Sequence, residues 1–368
     1  MVVQTHFPQK LSPKRYDHYL ASGWFRGSVM LYKMDLLCLE NNLYSVINIR
    51  LNLEKHLIKK SLSKIKRRGK AKFRIEIGNV ELNDQKDELY ALQKSKFQGF
   101  IHESLHDFLY SGFRNTVFDT KEICVYDGDC LIACSYFDLG EKSMASLLGL
   151  HHPDYANFSL GIFTMLMEIE FAKEHGFKWY YPGYILNEDQ GFKYKLRLGN
   201  YEYYNANKRW SNYTQFDSQD TISDRVNKLN NLLEEKLIEN KITYKKWLNP
   251  YFGIGYMNMW DISFLKTPVL IELAQSNIHK LIAAYDVDEE EYQLFWCEHA
   301  AGQEQMMNMS ISENMKGSDN LLLKLHKYSN YLLQTKDVNE LISYLKNEDT
   351  IYRTLFDCVR LSTSSSLQ

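Results

Sequence analysis

Little in this chain is specialised. Among 368 residues there are only 6 Pro, 18 Gly and 6 Cys. So little Pro and Gly excludes collagen-like and linker-dominated architectures. The cysteines, at positions 38, 124, 130, 134, 297 and 358, form no CxxC pair. Thiols scattered through a long chain point to a reduced, cytoplasmic setting, not to a disulfide scaffold. The segment Met1–Tyr16 lacks the apolar stretch of a secretory signal. No uncharged apolar run approaches the roughly 18 residues that a membrane span needs. Lys and Arg total 44 against 46 Asp and Glu, so whole-chain charge gives no reason to expect a polyanion binder. Any nucleic-acid contact must come from local clustering. There is no GxGxxG, P-loop, GxSxG or kinase signature, and Gly253-Ile254-Gly255 is too short to stand for one.

Aromatic residues, in contrast, are plentiful, with 26 Tyr and 19 Phe. That is too many packing groups for a disordered chain. The length allows two domains with ample cores. Leu43–Leu53 reads as a strand, and Glu54–Arg74 follows with helical spacing of Leu57, Leu62 and Ile65. Asp84–Tyr110 has helical periodicity. Lys121–Tyr126 and Cys130–Phe137, joined by Asp127-Gly128-Asp129, read as a hairpin, with a third strand at Ser143–Leu150. Phe158–His175 reads as a helix stopped by Gly176, and Phe177–Tyr181 as a short aromatic strand. The order helix, three antiparallel strands, helix, strand predicts an α+β mixed sheet flanked by helices. Past Asp217, Thr221–Asn240 and Leu321–Lys346 read as helices, and Ile278–Trp296 has room for strands around the acidic run Asp286–Glu291. The final LSTSSSLQ reads as a disordered tail. The expected division is a basic N-terminal subdomain (1–78), a core (79–215) and a mainly helical C-terminal extension (216–368) of unassigned role.

Local constellations offer several chemistries. Lys55–Arg74 holds ten Lys/Arg in twenty residues and no acid. Such a run is either a solvated helix face or a phosphate-binding patch. His102-Glu103-Ser104-Leu105-His106 matches HExxH, which on a helix can hold zinc. No extended form follows, so two ordinary helix histidines are the simpler reading. Cys130 and Cys134 alternate with apolar residues in a strand and read as buried thiols. His151-His152 before Pro153 is a base, a ligand or simply a strand end.

The segment Leu150–Lys195 is more informative. Its turn is His152-Pro153-Asp154-Tyr155, and a helix opens at Ser159-Leu160-Gly161 and continues through Glu168-Ile169-Glu170-Phe171-Ala172. Then come Tyr180-Tyr181-Pro182-Gly183-Tyr184-Ile185 and the pair Tyr194-Lys195. This order resembles the catalytic half of the arginyl-tRNA–protein transferases and their bacterial leucyl relatives. Upstream, Ser22–Ser28, Leu31-Tyr32 and Ile49-Arg50 with the basic helix look like the family's G-(W/F)-R-R-x-G…Y stretch, its (V/I)-R-(I/V) strand and its Arg-rich segment. The match covers about residues 1–210 in the family order. Two departures stand out. Where the family carries a cysteine cluster only Cys38 remains, so no metal or iron–sulfur site is implied. The family's S-C-P-K-M-x-Y-K becomes Glu188–Lys195, which alters the wall of the aminoacyl pocket. The segment beyond about 215 has no counterpart.

The resemblance implies a fold similar to the GNAT acyltransferases and a reaction that moves an aminoacyl group from charged tRNA to the amine of a protein N-terminus or peptide. The donor is an activated ester, so the enzyme's tasks are orientation, a neutral amine and a stabilised oxyanion. No resident cofactor is implied, because aminoacyl-tRNA is the co-substrate. Asp154, Ser159 and Tyr184 are the implied catalytic residues, with Asp154 holding the amine or taking its proton. Leu160 and Gly161, at a helix start with free backbone N–H groups, suit a terminal phosphate. Tyr180, Tyr181 and Gly183 would contact the terminal adenosine or the ester, with Lys193, Tyr194 and Lys195 nearby. Arg26 and Arg50 match family positions and would line the groove or pair with acids. Lys66, Arg67 and Arg68 would meet the acceptor stem.

Other readings compete. A GNAT-type enzyme using acyl-CoA or another thioester would place pyrophosphate at Ser159–Gly161, although the usual Gln/Arg-x-x-Gly-x-Gly/Ala signature is absent. A catalytically inactive protein that binds tRNA or a partner fits the lost cysteine cluster. A metalloprotease on His102 and His106 comes last. Which amino acid is moved, the acceptor and the oligomeric state are not fixed by these residues.

Overall fold

The computed structural model describes residues 2–39, 41–94, 96, 102–188, 190–307 and 319–347. They form two compact units. The first comprises the described residues of Gln4–Asp35 and Tyr44–Ser218, and the second takes up residues 2–3 and the described residues of Leu36–Leu43 and from Gln219 onward.

In the first unit, the sheet strands run in the order Trp210–Asn212, Tyr201–Tyr204, Asn42–Asn52, Trp179–Tyr181, Ser143–His151, Cys130–Leu139, Thr120–Asp127 and Arg74–Asn79. Neighbours are antiparallel except Ser143–His151 and Trp179–Tyr181, which are parallel. A parallel pair requires a crossover, and helix Leu160–Glu174 supplies it. The α+β class with a mixed sheet flanked by helices is therefore observed.

Local sequence explains these elements. Thr120–Asp127 and Cys130–Leu139 meet at a two-residue turn in which Gly128 takes φ 62°. The strand CLIACSYFDL is almost wholly apolar because both faces are covered. Ile132 and Phe137 pack in the core beneath helix Leu160–Glu174, while Leu131, Cys134 and Tyr136 pack with residues of helices Asp84–Lys94 and Leu105–Tyr110. Helix Leu160–Glu174 is buried at ten of its 15 positions. The sheet lies on one side, and on another helix Lys60–Lys72 lays down Leu62 and Gly69. A Cβ at Gly69 would overlap the Phe163 ring, so only glycine allows this close approach.

Three expectations are corrected. The first 78 residues do not form a separate subdomain: Asn42–Asn52 is an interior strand of the main sheet, buried over most of its length. Nor is the C-terminal portion mainly helical. Its strands Lys245–Leu248, Val269–Gln275, His279–Asp286, Glu291–His299 and His326–Thr335 form a five-stranded antiparallel sheet. Helices Ile222–Glu239 and Val338–Leu345 pack on one face through Leu233, Leu237 and Leu341. Finally, Leu321–Lys346 is a strand followed by a short helix. Bulges leave Ser329 and Leu332 as extra residues in that strand, so its alternation of polar and apolar side chains is broken twice. The tail LSTSSSLQ lies outside the described residues.

Thr221 does cap its helix, in a reciprocal capping box with Asp224. The HExxH stretch is not one helix face. Ser104 caps by accepting from the Asp107 N–H, and the helix begins at Leu105, leaving His102 and Glu103 outside it. Replacing Gly69 with Ala should lower stability by about 1–3 kcal/mol through overpacking against Phe163, read as a drop in Tm without change in secondary structure.

Candidate active site

The parallel pair holds for three residues only, Ser143 to Ala145 against Trp179 to Tyr181. Two features then drive the strands apart. Pro182 has no N–H to donate, and Gly183 turns the chain with φ 89°. Tyr184–Leu186 consequently pairs with Val46–Asn48 of the central strand. On the other side, Phe137 pairs with Ser146 and Tyr136 with Leu148, which leaves Leu147 as the extra residue of a β-bulge. Among the described residues no strand pairs with the splayed side of Ser146–His151. The result is a wedge in the middle of the sheet, lined by backbone that has no ladder partner.

Helix Leu160–Glu174 begins beside the end of this strand. A 3₁₀ turn, Pro153–Phe158, leads into it, and Ser159 sits at φ 53° with no side-chain cap. The His151 ring lies 3.8 Å from where a Cβ on Gly161 would stand. Burial and Lys96 both lower the His151 pKa. Arg68 donates to the Asn157 carbonyl at 3.0 Å and covers the Phe158 ring, so the basic helix flanks this turn.

Around Gly183 the groups are denser. Lys195 Nζ donates to the Tyr184 carbonyl at 2.9 Å. Desolvation lowers its pKa to about 8. The Tyr184 ring stacks on Phe192 at 5.5 Å and meets Phe25 edge-on. Burial pushes the Tyr184 phenol up to about 12, so it remains a hydrogen-bond donor at neutral pH. A deeper pair lies between helix and sheet. The Tyr180 hydroxyl donates to Glu168 Oε2 at 2.7 Å, and both residues are fully buried. Burial raises the Glu168 pKa to about 7, a shift only partly offset by the hydroxyls of Tyr180, Ser135 and Ser146. Glu168 Oε1 has no hydrogen-bond partner among the described residues.

The expected site residues separate into groups. Gly183, Tyr184 and Lys195 come together, with Lys193 and Tyr194 on the same turn. Ser159, Leu160 and Gly161 form the helix start, where Leu160 is buried and the other two are half-buried. Tyr180 faces Glu168, whereas Tyr181 joins the opposite core with Tyr16, Leu31 and Ala145. Asp154 is a solvated turn carboxylate, 82% exposed, with His152 Nδ1 3.7 Å away. Of the two places expected for Arg26 and Arg50, the groove or a pairing with acids, the structure shows the pairing. Arg26 is buried, and its donors are taken by Asp138, Thr120 and the Ser28 and Leu109 carbonyls. Arg50 lies between Trp179 and Trp210 and pairs with Glu202 at 2.7 Å. Lys66 is held by Glu170 at 2.6 Å and Arg68 by Asn157, while Arg67 is exposed. The Glu168–Tyr180 pair was given no role by the sequence reading. Its signal is one acid inside the otherwise apolar run GIFTMLME.

Residues 79–205 match the family model described as arginine-tRNA-protein transferase, C terminus. The chain is also 28% identical over 196 residues to an aspartate/glutamate leucyltransferase of Leptospira interrogans, covering 51% of this chain and 74% of that protein. Over this segment the chain is similar to the leucyl- and arginyl-tRNA–protein transferases. The Campylobacter jejuni aspartate/glutamate leucyltransferase is 34% identical over 74 residues, covering 20% of this chain and 31% of that one. Among solved structures, this chain is similar to a tandem GNAT protein from the clavulanic acid biosynthesis pathway (TM-score 0.28, 10% identity, 53% of this chain and 59% of that one). The wedge, the helix start, Glu168, Tyr184 and Lys195 all fall within the transferase match, whereas Arg26, Arg50 and the basic helix precede it. Among the described residues, no group of three or more His, Cys, Asp or Glu is placed to hold a metal, and no helix is long and apolar enough to cross a membrane.

Glu168 also makes stability depend on pH. Its folded pKa lies above the ordinary value, so its contribution is complete below pH about 4.5 and is lost as pH rises through about 7. A shift of that size corresponds to about 3 kcal/mol. Glu168→Gln should therefore match the wild type near pH 4 and exceed it in Tm above pH 8, as read by thermal melts across that range.

Proposed function

We propose that this protein transfers an aminoacyl group from charged tRNA to the α-amine of a protein or peptide. The carrying observation is that one segment matching the transferase family contains both the sheet wedge and the Tyr184–Lys195 cluster beside it. In this reading the amine nitrogen attacks the ester carbonyl, an amide bond forms, and the bond to the ribose 3′-oxygen breaks. That oxygen leaves with a proton. The ester is already activated, so no resident cofactor is required. Unpaired backbone around the Leu147 bulge and the Lys195 ammonium support a role in stabilising the oxyanion. The neutral Tyr184 phenol is suited to orienting the ester or the amine.

Basic residues support tRNA binding. Lys66 and Lys70 are occupied by Glu170, but Lys64 and Arg67 project from the same helix and form no ion pair among the described residues. Charged tRNA and an amine acceptor make the cytoplasm the natural setting. The names of the relatives favour leucine as the amino acid moved, with arginine as the second donor to test, and acidic N-terminal residues as acceptors.

The decisive assay mixes purified protein with radiolabelled leucyl- or arginyl-tRNA and peptides beginning with Asp, Glu or Ala. Label in one peptide from one tRNA is the expected result. Tight tRNA binding without transfer would instead indicate a binding protein, and affinity for CoA without affinity for tRNA a thioester enzyme. Reversing Lys64 and Arg67 to Glu should weaken tRNA binding about tenfold at low salt and reduce the salt slope by roughly 2, as read by filter binding at several salt concentrations.

A further inference from the structure

The proposed reaction has an unfilled part. The acceptor amine arrives largely as an ammonium ion, because α-amines titrate near pH 8. It must lose one proton before attack and a second as the amide forms, and the departing 3′-oxygen must gain one. Asp154 is an exposed turn carboxylate, 82% open to solvent. Lys195 is cationic below about pH 8 and hydrogen-bonds to a carbonyl, so it is a donor and not a base.

Glu168 has the features of a proton store. It lies on the helix that bridges the two splayed strands, and groups from several elements face it. Tyr180 comes from Trp179–Tyr181, Ser135 from Cys130–Leu139 and Ser146 from Ser143–His151. Ser146 immediately follows Ala145, the last paired residue of its strand before the wedge. Tyr194, on the turn that carries Lys195, interacts electrostatically with Glu168 and with Tyr201. Tyr194 is 44% exposed, whereas the Tyr201 hydroxyl is buried without a hydrogen-bond partner. No Lys, Arg or His among the described residues perturbs Glu168. The carboxyl therefore lacks an ion-pair partner and keeps one oxygen unfilled.

We infer that Glu168 is a positioning residue that stores the acceptor amine's proton and receives it through the hydroxyls of Tyr180 and Ser146. The inference rests on the transferase reading. As the amine nitrogen gives up a proton, it passes along the hydroxyls, and Tyr180 hands its own proton to the Glu168 carboxylate. The nitrogen lone pair then forms the bond to the ester carbon, the carbon–oxygen bond breaks, the same relay run backwards delivers a proton to the 3′-oxygen, and the second proton of the new amide nitrogen is released to water. No oxidant, metal or second base is needed. Glu168 is suited to this because burial without a cation keeps it close to balance between its two protonation states.

The test is the single-turnover transfer rate on saturating charged tRNA, measured from pH 5.5 to 9 for the full chain and for Glu168→Gln and Tyr180→Phe. Gln keeps the shape and removes the titration, so a folded variant is expected. The wild type should show a rising limb near pH 7. Glu168→Gln should lack that limb and lose at least about 100-fold in rate at pH 7, with KM for charged tRNA within twofold. Tyr180→Phe should lose the same limb, and Glu168→Asp should restore part of the rate. A purely structural role would instead lower Tm and leave the limb in place. Glu168→Gln within threefold of an active wild type, or a raised KM with the rate kept, would overturn the relay and leave the transferase reading intact. A wild type that transfers from no charged tRNA overturns the reading itself, and the relay with it.

Discussion

One strand cannot satisfy two neighbours that diverge, and the first unit is arranged around that constraint. Asn42–Asn52 pairs with Trp179–Tyr181 at one end and with Tyr184–Leu186 towards the other. The change occurs at Pro182-Gly183, where a missing donor and a positive φ allow the chain to step across. Strand Ser143–His151 is then left without a partner on one side. In most sheets an open ladder is a liability. Here it lies in the interior, bounded by a bulge and covered by a helix.

Charge is managed differently on the two sides of the sheet. Arg26 and Asp138 form a buried pair at 2.7 Å, anchored further by Thr120 and Tyr16. Such a pair contributes specificity of arrangement more than net stability, because both ions were taken out of water. Glu168 was buried without a cation, and it answers by shifting its titration. The contrast explains why two buried acids in neighbouring elements have different chemical characters. Asp138 is held by the Arg26 guanidinium and the Thr120 hydroxyl, whereas Glu168 has hydroxyls and no cation beside it.

Much of the first unit was legible in the residues. The hairpin around Gly128, the third strand and the helix stopped by Gly176 are local features, and their periodicity survives folding. The turn and helix start from His152 to Gly161 were placed for the same reason. What escaped was non-local. Arg26 and Arg50 carry no mark in the sequence that distinguishes a core ion from a groove ion; only Asp138, Glu202 and two tryptophans decide it. Tyr180 and Tyr181 are adjacent, yet pleating sends them to opposite faces, and the sequence alone did not say which faces the helix. In the second unit, bulges at Ser329 and Leu332 erased the alternation that identifies a strand.

The early segment Leu36–Leu43 is grouped with the unit that begins again at Gln219, although the residues on either side of it belong to the other. Leu36, Cys38 and Leu39 are buried. During synthesis this segment leaves the ribosome long before the rest of its unit exists. At roughly 5–20 residues per second, the wait is on the order of ten seconds or more. The first unit thus begins to fold with a segment of the other unit inside its chain. A single cut at Ser218 would therefore not divide the chain into its two units, because Leu36–Leu43 would stay on the N-terminal piece.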